Sequence, residues 1–291
     1  MMKNHGNYIV SLSNVCKWLG EVAEGLGVEI YPGFSAAEVL FDDNKKVKGV
    51  ATGDMGVSKD GSAKDSWESG MELHAKYTLF SEGTRGSLSK FLTKNFKLSE
   101  NSDYQKYAIG LKELWEINEE NFVDGLVEHS MGWPLSDETN GGSFLYHFDK
   151  NLVSIGYVIH LNYTNPYVSP FDEFQQFKTH PSVKKVLKGG KRISYGARAI
   201  TTGGYQSVPK LYFPGGALIG CSAGFLNYPK IKGTHNAMES GILAAEAIID
   251  NYNSNDQASD LKNYQEKYEN SRIAKELKRV RNVKPYQARY G

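Results

Sequence analysis

Thr78-Leu79-Phe80-Ser81-Glu82-Gly83-Thr84-Arg85-Gly86-Ser87-Leu88 is the stretch on which the fold turns. An apolar, strand-prone run ends in Glu-Gly, and a tight glycine-containing turn then opens a helix from Leu88. Glycines at such a strand end let a backbone approach a flat or phosphate-bearing ligand with no Cβ in the way. Taken alone, the same letters also describe an ordinary strand–turn–helix. A second glycine-rich stretch matters together with the first: Phe213-Pro214-Gly215-Gly216-Ala217-Leu218-Ile219-Gly220-Cys221-Ser222-Ala223-Gly224-Phe225, followed by Lys230-Ile231-Lys232-Gly233-Thr234-His235-Asn236-Ala237. There a strand delivers a loop, and a long Ala-rich helix begins just after Gly233-Thr234. A helix N-terminus offers free N–H groups and a partial positive charge, which can hold an anion or stabilise negative charge on a bound ring.

Outward from these two stretches, hydrophobic periodicity organises the chain. Residues 8–12 read as a short strand. Ser13 is expected to cap a helix carrying Val15, Trp18, Leu19, Val22 and Leu26, and Val28-Glu29-Ile30-Tyr31 reads as a second strand. Residues 38–51 pattern as a hairpin about Asp42-Asp43-Asn44, residues 53–70 as an exposed polar loop, and residues 73–80 as one strand. After residue 100 the strands lengthen and aromatics become denser. Segments 107–117, 126–134, 142–148, 152–162 and 193–200 fit strands of an antiparallel sheet, with a helix over 171–187 broken near Pro181. A helix over 234–252, a polar linker at 253–259 and a last helix over about 260–283 close the chain.

Composition excludes several classes. The 291 residues can bury a real core. With 34 Lys and Arg against 33 Asp and Glu, the net charge of +1 makes no case for nucleic acid binding. The positive charge gathers from Lys262 to Gly291, with nine Lys or Arg against three Glu. Cys16 and Cys221 are too few for a four-thiolate cluster or zinc site, and they read as free thiols. The seven histidines show no close pair at metal-ligand spacing. No apolar run approaches the roughly 18 residues of a membrane-spanning helix, and the N-terminus carries no signal or transit pattern.

The order strand, β-meander, strand ending in Glu-Gly-x-x-Gly, inserted domain, strand with Gly-Cys-Ser-Ala-Gly, long Ala-rich helix resembles the later part of a glutathione-reductase-type FAD fold. The fold class expected is α/β with an inserted α+β domain, that is, a partial FAD fold plus an antiparallel-sheet quinone-binding domain. More narrowly, the sequence resembles electron transfer flavoprotein–ubiquinone oxidoreductase from residue 4 to about residue 285. The resemblance is carried by Asn4-His5-Gly6-Asn7-Tyr8-Ile9-Val10, Gly110-Leu111-Lys112-Glu113-Leu114-Trp115, Gly132-Trp133-Pro134-Leu135, Gly141-Gly142-Ser143-Phe144-Leu145-Tyr146-His147, Gly189-Gly190-Lys191-Arg192-Ile193, Tyr195-Gly196-Ala197-Arg198-Ala199 and Pro229-Lys230-Ile231-Lys232-Gly233-Thr234-His235.

What the resemblance implies is specific. The family takes electrons from reduced electron transfer flavoprotein and passes them to ubiquinone, using FAD and a [4Fe–4S] cluster, on the matrix face of the mitochondrial inner membrane or on a bacterial membrane. It implies flavin contacts at Glu82, Gly83, Thr84, Gly86, Gly220, Cys221, Gly224, Lys232, Gly233 and Thr234, and quinone contacts at Gly141 and Gly142. Asn140 stands where the family often has an aromatic residue. Residues 1–98 and 209–253 would form the flavin part, 99–208 the quinone-binding domain, and 254–291 a terminal helix facing the membrane. Two features depart from the pattern: no Gly-x-Gly-x-x-Gly loop is present, and no cysteine follows Cys221. The chain is therefore expected to be a partial product, inactive by itself.

Three other readings were weighed on the residues. Ile273, Leu277 and Val280 recur at i, i+4, i+7 among Arg272, Lys275, Lys278, Arg279 and Arg281, a basic amphipathic pattern that can lie on an anionic membrane or simply pack by one narrow stripe. Phe225-Leu226-Asn227-Tyr228-Pro229-Lys230 offers a second membrane contact. Gly220-Cys221-Ser222-Ala223-Gly224 spells the Gly-x-Ser-x-Gly of hydrolases, but Pro229 and a loop intervene where the nucleophile's helix should start at once. Rival functions are a geranylgeranyl-reductase-like or hydroxylase-like flavoenzyme, and a truncated, non-catalytic chain.

Overall fold

The computed structural model describes residues 6–254 and 260–290. Most of the linker expected at 253–259 lies outside these residues. The first helix, α1, spans Leu12–Gly25. Its N-cap is Ser11 rather than the expected Ser13: the Ser11 Oγ accepts the Asn14 N–H at 3.5 Å. Neither expected strand flanking it forms. Residues 8–12 and 28–31 have no partner among the described strands, and an extended segment becomes a strand only when a neighbour takes its hydrogen bonds.

β1 (Ala36–Phe41) and β2 (Val47–Thr52) form the predicted hairpin. Its turn is set by Asp42, whose Oδ1 accepts the N–H groups of Asn44 and Lys46 at 2.9 and 2.8 Å. Residues 53–70 are not a plain loop. They hold a second hairpin, β3 (Met55–Val57) with β4 (Ala63–Glu68), turning at Asp60-Gly61 where Gly61 has φ +87°. The single strand expected over 73–80 is two: β5 (Glu72–His74) pairs with β2, and β6 (Thr78–Phe80) joins a different sheet. Then come α2 (Ser87–Asn95), β7 (Tyr107–Glu116), β8 (Val127–Met131), β9 (Gly141–Phe148) and β10 (Leu152–His160). Two short helices, α3 (Pro170–Phe177) and α4 (Pro181–Leu187), are divided as Pro181 predicts. β11 (Lys191–Thr201), β12 (Tyr212–Phe213), β13 (Gly216–Leu218) and α5 (Thr234–Asn253) follow. The helix expected over 260–283 is two, α6 (Lys262–Asn270) and α7 (Arg272–Val280), and α8 (Val283–Tyr290) follows beyond it. The first break falls at Ser271, whose Oγ caps α7 by accepting the Ala274 N–H at 3.2 Å.

The chain divides into two compact units. One comprises residues 31–105 and 201–285, the other residues up to 30, 106–200 and from 286 on, so the expected boundaries at 98/99 and 208/209 shift by seven or eight residues and α1 groups with the inserted domain. In the first of these units, β12, β13 and β6 form one sheet and β1, β2 and β5 another. β6 and β13 run parallel, pairing Thr78 with Gly216 and Phe80 with Leu218. Their core holds Phe80, Leu92, Phe213, Leu218, Phe225 and Tyr264, with Phe96 stacked on Phe213 at 5.1 Å.

That core also claims Ile273 and Leu277, 0% and 1% exposed, with Val280 half-buried. Of the two readings of this stripe, packing holds: it lies inside the protein, because a narrow i, i+4 stripe suits one protein neighbour as well as it suits lipid. Phe225 and Asn227 are likewise buried, so the aromatic loop at 225–230 is not the exposed contact it resembled.

The other unit is built on a five-stranded sheet of order β11-β7-β10-β9-β8, in which β7, β10, β9 and β8 pair antiparallel. Val153, Ile155, Tyr157 and Ile159 line one face and pack with Phe174 and Phe177 of α3. Glu113 lies buried on that same face, its carboxylate held by Lys178 Nζ at 2.9 Å, Trp115 Nε1 at 2.8 Å and Arg192 Nη1 at 3.1 Å. Glu116 is exposed, so the two carboxylates do not form a pair, as their spacing of three in a strand predicts.

Candidate functional site

The parallel pairing of β6 with β13 brings the two glycine-rich stretches together. Both loops leave the C-terminal ends of adjacent parallel strands, the position where open α/β sheets place their ligands. Ser222 Oγ donates to the Gly83 carbonyl at 3.2 Å and ties one loop to the other. Gly83 has φ +80° with nothing within 4 Å of the position its Cβ would take, so that side is open space. Gly220 has φ +59°, and its N–H donates to Ser240 Oγ of α5 at 2.9 Å. A side chain at either position would be strained.

Glu82 serves α2. Its carboxylate accepts from the N–H groups of Leu88 and Ser89 at 3.2 and 2.5 Å and from Ser89 Oγ at 2.6 Å, satisfying a helix start that Gly86 cannot cap with a side chain. A Cβ on Gly86 would sit 2.2 Å from the Glu82 Cβ, so this glycine makes room for that capping carboxylate. Thr84 lies in the turn between them. Cys221 is half-buried, and burial pushes its thiol pKa up, away from the lowered values of reactive thiols. Gly224, at φ +82°, turns the chain back beside the Gln105 amide, whose Oε1 accepts the Gly203 N–H at 2.8 Å.

Lys232, Gly233 and Thr234 lead into α5, with Gly233 at its N-cap. Burial lowers the pKa of Lys232. Asn227 and Lys232 exchange backbone bonds at 2.9 and 3.2 Å, closing the loop just before the helix. Asn236, in the first turn, donates to the Phe225 carbonyl at 2.9 Å, while its Oδ1 is buried with no hydrogen-bond partner in the structure. Glu276, which the sequence did not single out, holds this loop. Glu276 of α7 accepts from Asn227 Nδ2 at 2.6 Å, His235 Nε2 at 3.0 Å and Lys230 Nζ at 3.2 Å. Burial alone would raise its pKa, but these three donors outweigh it and hold the carboxylate below its usual range. Its partners lie 41 to 49 residues away, and on an amphipathic helix Glu276 reads as one more polar-face residue. Free N–H groups at a helix end, an open glycine turn and a buried unpartnered oxygen fit a flat polar ring at this site.

Gly141 and Gly142 open β9, between β10 and β8. Gly141 stands opposite Ile159, Gly142 opposite Val158 and Met131, and the Gly141 carbonyl accepts the Gly132 N–H at 3.3 Å. Their backbone groups therefore point along the sheet at neighbouring strands. The missing side chain of Gly141 is already replaced by Leu135, whose Cδ1 would meet a Cβ at 2.3 Å. Among the described residues no three His, Cys, Asp or Glu side chains gather as metal ligands. A four-thiolate cluster does not fit the residues present.

Residues 107–200 match the family model described as ETF-QO, ubiquinone-binding. Over 98% of its length the chain is 56% identical to the mitochondrial electron transfer flavoprotein–ubiquinone oxidoreductase of Homo sapiens, of which it covers 47%. The chain thus spans about half the length of the curated relatives it matches. Among solved structures, a geranylgeranyl bacteriochlorophyll reductase-like protein from Thermoplasma acidophilum aligns at a TM-score of 0.74, with 18% identity, over 98% of this chain and 66% of that one. A flavin-dependent brominase aligns at 0.62, with 19% identity, over 98% and 65%. The chain is related over nearly its whole length to electron transfer flavoprotein–ubiquinone oxidoreductase and has the α/β fold of flavin-dependent enzymes.

Proposed function

We propose that this chain supplies the quinone-handling and ring-side flavin portions of an oxidoreductase that passes electrons from reduced electron transfer flavoprotein to ubiquinone. The observation that carries the reading is the joining of the Glu82-Gly83 and Gly220-Cys221-Ser222 loops at the ends of parallel strands, beside the N-terminus of α5. FAD, when bound, supplies the two-electron chemistry. Gly83, Thr84, Gly220, Cys221 and Gly224 would let its ring approach the backbone, and Gly86 gives room to the Glu82 carboxylate that fixes the loop. Lys232 would present positive charge, and Gly233 and Thr234 the N–H groups of the helix end, to it. The chain need provide no acid–base catalyst for this. Residues 107–200 bind the quinone, with Gly142 rather than Gly141, whose place Leu135 fills, offering the approach at that end of β9.

The relative's name places it in mitochondria, and the proposal extends to the matrix side of the inner membrane. With Ile273 and Leu277 buried, contact with anionic lipid would rest on exposed Lys278, Arg279 and Arg281. Two experiments test the reading. The purified chain, incubated with FAD and gel-filtered, is expected to keep flavin absorbance, which Gly83→Val and Gly220→Val remove; a colourless wild-type chain would overturn the flavin assignment in favour of a non-catalytic chain. Co-sedimentation with anionic liposomes is expected to weaken with Lys278→Glu plus Arg279→Glu, and insensitivity to that pair counts against the membrane surface.

A further inference from the structure

The sheet face opposite α3 carries a hydrogen-bonded tyrosine–histidine pair on the same face as Gly142. Alternation along β9 puts Gly142, Phe144 and Tyr146 on one face and Leu145 on the other. On β8, Met131 stands opposite Gly142 and His129 opposite Phe144, so His129 shares the face of Tyr146. Positions two apart along a strand are about 7 Å apart, which places His129 and Phe144 one step from Gly142 and Tyr146 two steps, about 13 Å, its ring leaning back onto Phe144 and His129. The atoms nearest a Cβ on Gly142 would be backbone, Ser130 O at 2.5 Å and Met131 Cα at 3.5 Å, so β8 and not a side chain crowds it first. Phe144 lies against Gly156, where a Cβ would come within 2.4 Å of its ring, and its centroid is 5.1 Å from that of Tyr146.

The Tyr146 hydroxyl is 3.4 Å from His129 Nε2, with the rings edge to face. His129 Nδ1 is 3.4 Å from the Ser143 carbonyl. A carbonyl only accepts, so Nδ1 carries the proton and Nε2 accepts from Tyr146. At 3.4 Å the O–H···N bond is long, and the hydroxyl hydrogen can rotate between Nε2 and a ligand oxygen. Burial raises the pKa of Tyr146, so it stays a donor at neutral pH.

We propose that Tyr146 is the hydrogen-bond donor that recognises a quinone carbonyl over Gly142 and Phe144, with His129 as its positioning residue. This rests on the quinone reading of residues 107–200. The pair suits both forms of such a ligand. A quinone oxygen only accepts, and the Tyr146 O–H turns to it. A hydroquinone oxygen can donate, and Tyr146 then accepts from it while returning its own proton to the bond with His129 Nε2.

Duroquinone and durene share a flat tetramethylated ring and differ in the two carbonyl oxygens, so they separate recognition of the carbonyl from packing of the ring. Both are titrated into the full chain by calorimetry. Tyr146→Phe is expected to weaken duroquinone roughly tenfold, the loss of one hydrogen bond, and to leave durene unchanged. His129→Phe is expected to weaken durohydroquinone more than duroquinone, a split that a merely structural role would not produce. Equal duroquinone affinity in Tyr146→Phe and wild type, or equal weakening of duroquinone and durene, overturns the inference while leaving the quinone reading intact. Failure of the wild-type chain to bind duroquinone overturns both.

Discussion

At the scale of single residues, Glu276 shows how a partly buried charge is made tolerable and useful. A carboxylate removed from water is costly unless its oxygens are bonded, and Asn227, Lys230 and His235 bond them. Glu276→Gln is expected to destabilise the protein by about 1–3 kcal/mol at pH 7, measured by urea unfolding. The pH dependence follows from its lowered pKa. The stabilisation is fully present above the unfolded carboxylate value and is lost as pH falls through the lower folded value. The difference between wild type and variant therefore shrinks as the medium is acidified below the ordinary value of 4.5. Glu113 follows the same logic in the other unit. Burial opposes its charge, yet Lys178, Trp115 and Arg192 hold its pKa down.

At the scale of elements, α7 separates two meanings of one pattern. Its basic residues are exposed and its apolar stripe is core, so the two faces should respond differently to mutation. Leu277→Ala is expected to cost about 2–5 kcal/mol in chemical denaturation. Lys278→Glu plus Arg279→Glu should change stability by no more than about 0.5 kcal/mol per site. A free apolar stripe would make Leu277→Ala neutral. α2 offers a second test, because its start depends on a residue outside the helix. Glu82→Ala removes every bond that the carboxylate makes to Leu88 and Ser89 and should cost about 1–2 kcal/mol. Loss of α2 amide protection in hydrogen exchange would accompany it.

At the scale of the molecule, α1 stands apart. It has no buried residue, and Trp18 is 60% exposed, beside exposed Leu12, Leu19, Val22 and Leu26. An apolar row of this length in water favours association. Leu19→Glu with Val22→Glu is expected to raise solubility and reduce binding of a hydrophobic dye while leaving the unfolding midpoint in place. A lowered midpoint would show that the row is packed in solution. The residues up to Ile30 and the sheet of 106–200 fall in one unit, yet the stability of that unit rests on the buried cluster about Ile155, Tyr157 and Phe174, to which α1 adds nothing.

Local chemistry sufficed wherever an element is closed by residues near one another in sequence. The β1–β2 hairpin about Asp42, the break at Pro181, the alternation of β7 to β10 and the start of α5 after Gly233 are legible because turn residues, caps and periodicity act over a few positions. The two glycine loops were also legible as letters, from Glu82 to Gly86 and from Gly220 to Gly224. What only the tertiary structure decided depends on partners far along the chain. Residues 8–12 and 28–31 have strand-prone composition, but without a neighbouring strand they do not pair. Residues 73–80 divide because β5 finds β2 while β6 finds β13, more than a hundred residues on. The stripe of α7 is core because Phe225 and Tyr268 lie in the same cluster as Ile273 and Leu277. Apolar periodicity states that a face will be covered and does not state by what. The glycine loops likewise became one site only when β6 and β13 paired and Ser222 reached the Gly83 carbonyl.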